Sequence, residues 1–231
     1  MKTISQITNL IAHRGLSSEY HENTLPAFLG ACQKPFFGIE TDVQFTKDNK
    51  AICFHDKSLK HFNGEKFLIS ELNYRDLMHL RYSLSDPKST ICPFRKYLLA
   101  CKKYKKFCII EIKYKMDFPQ IKLLIKQIKF YRYIKNCVFI SFNADVLIKI
   151  RELLPNAKIQ LLVSSPIKRY SQLCQKYKFD VSFYDRIISK DMVDKVHASG
   201  HKVGVWTVNK YQNALKYANW GVDYITSDYL L

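Results

Sequence analysis

Gly38-Ile39-Glu40-Thr41-Asp42-Val43-Gln44-Phe45-Thr46-Lys47-Asp48-Asn49-Lys50-Ala51-Ile52-Cys53-Phe54-His55 places two runs rich in β-branched and aromatic residues, 38–45 and 51–55, on either side of a short polar link at 46–50. Parallel neighbours in a sheet need a crossover of roughly a dozen residues or more, usually through a helix, whereas antiparallel neighbours close through a tight turn. The two runs therefore form a hairpin. A two-residue turn at Asp48-Asn49 would pair Lys47 with Lys50 and carry the register down until Asp42 faces His55.

Outward from this hairpin, similar apolar runs recur at 9–13, 107–113, 137–142, 158–163, 179–184, 202–208 and 222–227. Between them lie stretches of helical periodicity at 24–34, 71–80, 93–104, 118–131, 143–153, 166–176, 189–199 and 210–218. Such alternation is the pattern of βα units around a parallel sheet. Nine strands are one too many for a barrel. With the return strand 51–55 set aside as a hairpin extension, eight remain, each followed by a helical segment, which predicts a (β/α)₈ barrel of the TIM type. The chain of 231 residues forms one such domain over 1–231, close to the roughly 250 residues that this fold uses. The longest stretch between barrel strands, Asp56 to Cys92, contains Asn63-Gly64, Asp86-Pro87 and the helix-like run 71–80. It reads as a small insertion at the barrel mouth, where loops govern selectivity.

Nearly half of the residues are hydrophobic and a quarter charged, which excludes a disordered chain. Met1 through Leu10 carries no sustained apolar stretch, and no later run reaches the roughly 20 residues of a membrane span, so a soluble, cytoplasmic protein is expected. The seven cysteines include no Cys-x-x-Cys and read as reduced core thiols. A net charge of +17 attracts polyanions, phosphate esters or an acidic membrane surface without choosing among them. The basic stretches 102–106 and 122–135 are interrupted at helical spacing by Leu123, Leu124, Ile125, Ile128 and Tyr131, as in amphipathic surface helices. No nucleic-acid recognition motif appears, and a nucleic-acid partner is not expected.

Barrel active sites lie at the carboxyl ends of the strands, and the polar residues there are coherent. The first strand ends in His13-Arg14-Gly15, the second carries Glu40 and Asp42, the run 107–113 carries Glu111 and Lys113, and Trp206-Thr207 closes the run 202–208. Residues two apart on a strand share a face, so the carboxylates of Glu40, Asp42 and Glu111 converge. Without a cation they would repel one another; a hard divalent cation, Mg²⁺ or Ca²⁺, makes such an oxygen cluster favourable. Phosphodiester hydrolysis needs a base, an acid and positive charge around the phosphoryl oxygens. His13 and His55 are candidates for the proton transfers, in either role, and Arg14 and Lys113 for the charge.

The motifs Ala12-His13-Arg14-Gly15, Glu22-Asn23-Thr24-Leu25, Glu40-Thr41-Asp42-Val43, Thr46-Lys47-Asp48, Phe54-His55-Asp56, Asn63-Gly64, Glu71-Leu72, Glu111-Ile112-Lys113, Val205-Trp206-Thr207-Val208-Asn209 and Gly221-Val222-Asp223-Tyr224-Ile225-Thr226-Ser227-Asp228 together resemble the glycerophosphodiester phosphodiesterase family. The resemblance implies catalytic histidines at 13 and 55 and metal ligands at 40, 42 and 111. It also implies Arg14 and Lys113 directed toward the phosphate and Trp206 against the glycerol moiety. The implied substrate is a small glycerophosphodiester, glycerophosphocholine or glycerophosphoethanolamine, cleaved to sn-glycerol 3-phosphate and an alcohol. The chain departs from the family at His21, usually proline; at Leu59-Lys60-His61-Phe62, where an arginine is lost; and at Thr226-Ser227-Asp228-Tyr229, usually Thr-Asp-x-Pro. Beside this reading stand a related barrel phosphodiesterase acting on intact lipid, of phospholipase C or sphingomyelinase D type, and a non-catalytic basic binding protein. All five central residues, His13, Glu40, Asp42, His55 and Glu111, are present, which argues against the last.

Overall fold

The computed structural model describes residues 3–60, 66–79, 90–113, 116–165 and 170–230. Asn63-Gly64, Asp86-Pro87, His61-Phe62, residue 80 and the expected helical start at 166–169 lie outside them. In chain order the strands are β1 Asn9–Ala12, β2 Gly38–Phe45, β3 Ala51–Cys53, β4 Ser58–Lys60, β5 Lys66–Leu68, β6 Cys92–Pro93, β7 Phe107–Ile112, β8 Cys137–Ser141, β9 Lys158–Val163, β10 Asp180–Tyr184, β11 Val203–Trp206 and β12 Tyr224–Ser227. The helices are α1 Ile4–Ile7, α2 Leu25–Cys32, α3 Tyr74–His79, α4 Phe94–Lys103, α5 Phe118–Phe130, α6 Ala144–Leu153, α7 Tyr170–Tyr177, α8 Lys190–Ala198 and α9 Tyr211–Asn219.

β1, β2 and β7 through β12 pair in parallel, and the β1–β12 and β1–β2 pairings close the ring, giving the expected (β/α)₈ barrel. Its registers position the site. Ala12 pairs with Ser227 on one side and Ile39 on the other, and Asp42 pairs with Glu111. Outward-facing Ile39, Val43, Ile110 and Phe139 pack under the helices in the large core, while Ile11, Ile109, Val138, Ile140, Leu162 and Tyr224 form a separate cluster on the alternate, inward face. α4 is locked onto the barrel by fully buried Tyr97, whose hydroxyl donates to Ile39 O at 2.7 Å. All seven cysteines are free and buried, and burial pushes the Cys32 and Cys174 thiols up to about 12, where they are inert.

Three expectations are corrected. Among the described residues no helix follows β12; the short α1, ahead of β1, packs against α9 instead. The first turn of the helix expected at 71–80 is a 3₁₀ turn, Ile69–Glu71, and α3 begins only at Tyr74. The hairpin register is one residue off: Val43 pairs with Cys53, Gln44 with Ile52 and Phe45 with Ala51, so Phe54, not His55, stands across from Asp42 and donates its N–H to Asp42 O at 2.9 Å. The reason lies in the turn. Asn49 N–H bonds Thr46 O, Asn49 adopts φ of 57°, and Lys50 N–H bonds the Thr46 hydroxyl, which itself donates to Asp48. A left-handed Asn after a tight turn makes a three-residue loop, and one added loop residue shifts every pair below it.

The β2–β3 hairpin extension and the mouth insertion are both present. β3 pairs antiparallel with β2 and with β6, and β4 with β5 forms a separate two-stranded sheet between His55 and α3.

Candidate active site

Glu40, Asp42 and Glu111 come together as expected: all three are buried, and one ligand oxygen from each lies within 4.8 Å of the others. Burial first, then the charges of Asp42 and Glu111, push the Glu40 carboxyl well above the usual range, and Glu111 is raised by burial and by Asp42. Two cations answer three acids. Lys113 Nζ bonds Glu111 Oε1 at 2.9 Å and lies 3.5 Å from Asp42 Oδ1. Arg14 donates its backbone N–H to Glu40 Oε2 and its Nη1 to Glu22, and its Nε lies 3.2 Å from Asp42 Oδ2, off the line of a hydrogen bond. Burial works against the charge of both cations, but the surrounding carboxylates outweigh it and raise each above its ordinary value. Glu40 Oε1 and Asp42 Oδ1 are left buried with no hydrogen-bond partner. An excess of acid over base with two orphaned oxygens, all hard donors, fits a hard divalent cation.

Both histidines border the same cavity of about 170 Å³, together with Arg14, Glu40, Glu111, Lys113 and Trp206. His13 Nδ1 lies 2.7 Å from Asp228 Oδ1. Asp228 is itself clamped, accepting from Asn209 Nδ2 at 2.6 Å and Ser17 Oγ at 3.1 Å. Burial alone would raise its carboxyl, but the His13 bond and charge and the bonds from Asn209 and Ser17 hold it down to about 2. A carboxylate on Nδ1 fixes the imidazole tautomer and leaves the other ring nitrogen for a ligand. His55 has a lighter version of this arrangement, Nδ1 to the exposed Asp56 at 2.7 Å. Gln44 donates to both Phe54 O and Asp56 O, gripping the chain on either side of His55 just past the end of β3. Trp206, half-buried, donates Nε1 to Ser182 O and packs edge-on against Phe142 at 5.4 Å. On the other side of Phe142, Glu111 and Lys113 lies a groove of about 1190 Å³ that these residues also border.

Three positioning residues escaped the sequence reading. Asn23 is buried at φ of 56°, donates to Asp42 Oδ2 at 2.8 Å and accepts from the Thr41 hydroxyl and the Asp42 N–H; the α2 cap is Thr24. Gln44 was legible as the third polar residue on the Glu40–Asp42 face. Asp228 ended a strand in the same manner as the recognised acids, but its partner stands 215 positions away.

Gly15 shows why the His-Arg-Gly corner needs glycine. Its φ is 86°, and a Cβ there would sit 2.7 Å from the Ala27 carbonyl carbon of α2. Gly15→Ala is expected to cost about 2–4 kcal/mol from the left-handed strain and the backbone clash, read as a lowered melting temperature. An unchanged melt would show that the loop relaxes freely.

A closed (β/α)₈ barrel that presents clustered acids, two imidazoles and two cations at the carboxyl ends of its strands has the layout of a hydrolase for phosphoric esters. Residues 13–231 match the Glycerophosphoryl diester phosphodiesterase family. A glycerophosphodiester phosphodiesterase of Caldanaerobacter subterraneus is 30% identical over 96% of this chain and 94% of its own, and one of Bacillus altitudinis 26% over 96% and 95%. In fold, the chain superposes with a TM-score of 0.87 on an Oleispira antarctica phosphodiesterase solved with the product sn-glycerol-3-phosphate, at 23% identity and covering 99% of this chain and 96% of that one. The chain belongs to the glycerophosphoryl diester phosphodiesterase family and is a phosphoric diester hydrolase.

Proposed function

We propose that the protein hydrolyses small glycerophosphodiesters of the glycerophosphocholine or glycerophosphoethanolamine type to sn-glycerol 3-phosphate and an alcohol, with Mg²⁺ or Ca²⁺ held by Glu40, Asp42 and Glu111 and with His13 and His55 transferring protons. The observation that carries this reading is the meeting of both histidines, both cations and the acids Glu40 and Glu111 around one cavity of about 170 Å³. Its floor of Ile11, Ile109 and Leu162 is apolar, and its volume is that of about six water molecules, a fit for a glycerol-sized group rather than acyl chains.

The bound cation would supply Lewis acidity and lower the pKa of an oxygen nucleophile. Arg14 and Lys113 bind and orient the phosphoryl oxygens, and Trp206 forms the apolar wall for the glycerol carbons. His13, with Nδ1 tied to Asp228, and His55, with Nδ1 tied to Asp56, both border the cavity and exchange protons with the attacking or departing oxygen. The seven buried thiols suit a cytoplasmic location, and the freely diffusing substrate suits a role in lipid and glycerol metabolism.

The test is release of glycerol 3-phosphate from glycerophosphocholine, with intact phosphatidylcholine vesicles assayed alongside. Chelator is expected to abolish release and added Mg²⁺ or Ca²⁺ to restore it. Full turnover in chelator would remove the cation from the mechanism, and faster cleavage of the vesicle lipid would assign the enzyme to the intact-lipid class.

A further inference from the structure

On the outside of the barrel, α4 and α5 carry more cations than any other helix among the described residues. Their sequences, Phe-Arg-Lys-Tyr-Leu-Leu-Ala-Cys-Lys-Lys and Phe-Pro-Gln-Ile-Lys-Leu-Leu-Ile-Lys-Gln-Ile-Lys-Phe, contain Arg95, Lys96, Lys102, Lys103, Lys122, Lys126 and Lys129 and no acidic residue. On α8, by contrast, Lys190 and Lys195 are each neutralised one turn away by Asp194 and Asp191. None of the seven cations of α4 and α5 has a salt-bridge partner among the described residues. The nearest acid along the chain, Asp117, caps the start of α5 by accepting from Gln120 N–H.

Apolar side chains stand among these cations. Leu99 is 41% exposed, Leu123 43% and Phe130 77%. Leu123, Lys126 and Phe130 recur at helical spacing, and with Arg95 of α4 they border one shallow groove of about 590 Å³. One hydrogen bond ties the last turn of α4 to the end of α5, Lys102 Nζ donating to Tyr131 O at 2.8 Å.

We infer that the α4–α5 face docks on an anionic lipid bilayer. Lysines with long aliphatic stems around protruding Leu and Phe match a headgroup layer above acyl chains: the ammonium groups meet lipid phosphates and carboxylates while the apolar tips enter the boundary below. A second copy of the chain is a poor occupant, because a two-fold contact would set seven cations against seven. Nucleic acid would use the cations but leave Leu99, Leu123 and Phe130 exposed against phosphate. Asp117 and Gln120, at the start of α5, line the groove that shares Glu111 and Lys113 with the catalytic cavity, so docking on this face sets the barrel mouth beside the membrane rather than against it.

The test is flotation of the full chain with phosphatidylcholine vesicles with and without phosphatidylserine, at low salt and at ~1 M salt. Binding is expected only with phosphatidylserine and only at low salt. Lys126→Glu with Lys129→Glu should weaken it by at least roughly tenfold, and Phe130→Ser by roughly fivefold, with melting temperatures unchanged. Lys176→Glu with Lys216→Glu, the same charge change on exposed positions of α7 and α9, should leave binding as it is. Equal loss in that control would reduce the effect to net charge and overturn the assignment. So would binding to pure phosphatidylcholine, no vesicle binding at all, retention on duplex DNA alone, or a dimer that Phe130→Ser dissolves.

Discussion

His13→Ala is expected to lower kcat for glycerophosphocholine by about 10²–10⁴-fold, the range that a positioned proton-transfer group contributes. Asp228→Asn should lower it by about 10–100-fold, because the carboxylate acts through the imidazole it orients. The informative variant carries both changes. If Asp228 works only through His13, the double variant is no slower than His13→Ala, since there is no imidazole left to orient. Multiplying losses would show Asp228 acting on substrate by itself. Asp228 also carries a stability signature. Its folded value of about 2 lies below the ordinary carboxylate value, so its contribution is full above that ordinary value and is lost as pH falls through the folded one. The stability gap between the parent and Asp228→Asn should therefore be constant from neutral pH to about 5 and close between about 4 and 2 in acid-unfolding curves.

The acid cluster gives the second large effect, with opposite signs for activity and stability. Glu40→Gln should reduce turnover by at least about 10²-fold, because it replaces one of the three anionic oxygen donors with a neutral amide. In chelator the same variant should melt roughly 2–4 °C higher than the parent, about 1 kcal/mol. Glu40 has a raised folded value, so its charge costs nothing below the ordinary carboxylate range, and stability is lost as pH rises through the folded value. The metal-free parent should thus weaken as pH rises above the ordinary carboxylate range, and Glu40→Gln should flatten that slope. Added Mg²⁺ or Ca²⁺ should raise the melting temperature of the parent and leave that of Glu40→Gln nearly unchanged. A variant that still responds to the ion would take Glu40 out of the ligand set. Such a trade, stability surrendered to keep like charges together, is expected of a functional site.

The link between Phe45 and Ala51 is too short for any crossover, and that single covalent fact turned nine apolar runs into eight barrel strands and a hairpin. The period-two placement of Glu40 and Asp42, and of Glu111 with Lys113, put their side chains on one face before any contact was known. These features were legible because chain geometry over a few residues is local. The hairpin register was not, since it turned on whether Asn49 would adopt a left-handed conformation, a choice made by the Thr46 hydroxyl and the Asp48 carboxylate around it. Gln44 around His55 was decided only when the hairpin took its register, and Asn23 under Asp42 and Asp228 behind His13 only when distant segments came together. β1 must pair with β12 before Ala12 meets Ser227 and the next residues, His13 and Asp228, can touch. The sequence by itself determined which chemical groups stand at the strand ends, because alternation and connection length act within one segment. Tertiary structure decided which group orients which, because hydrogen bonds between segments far apart in the chain exist only after the barrel has closed.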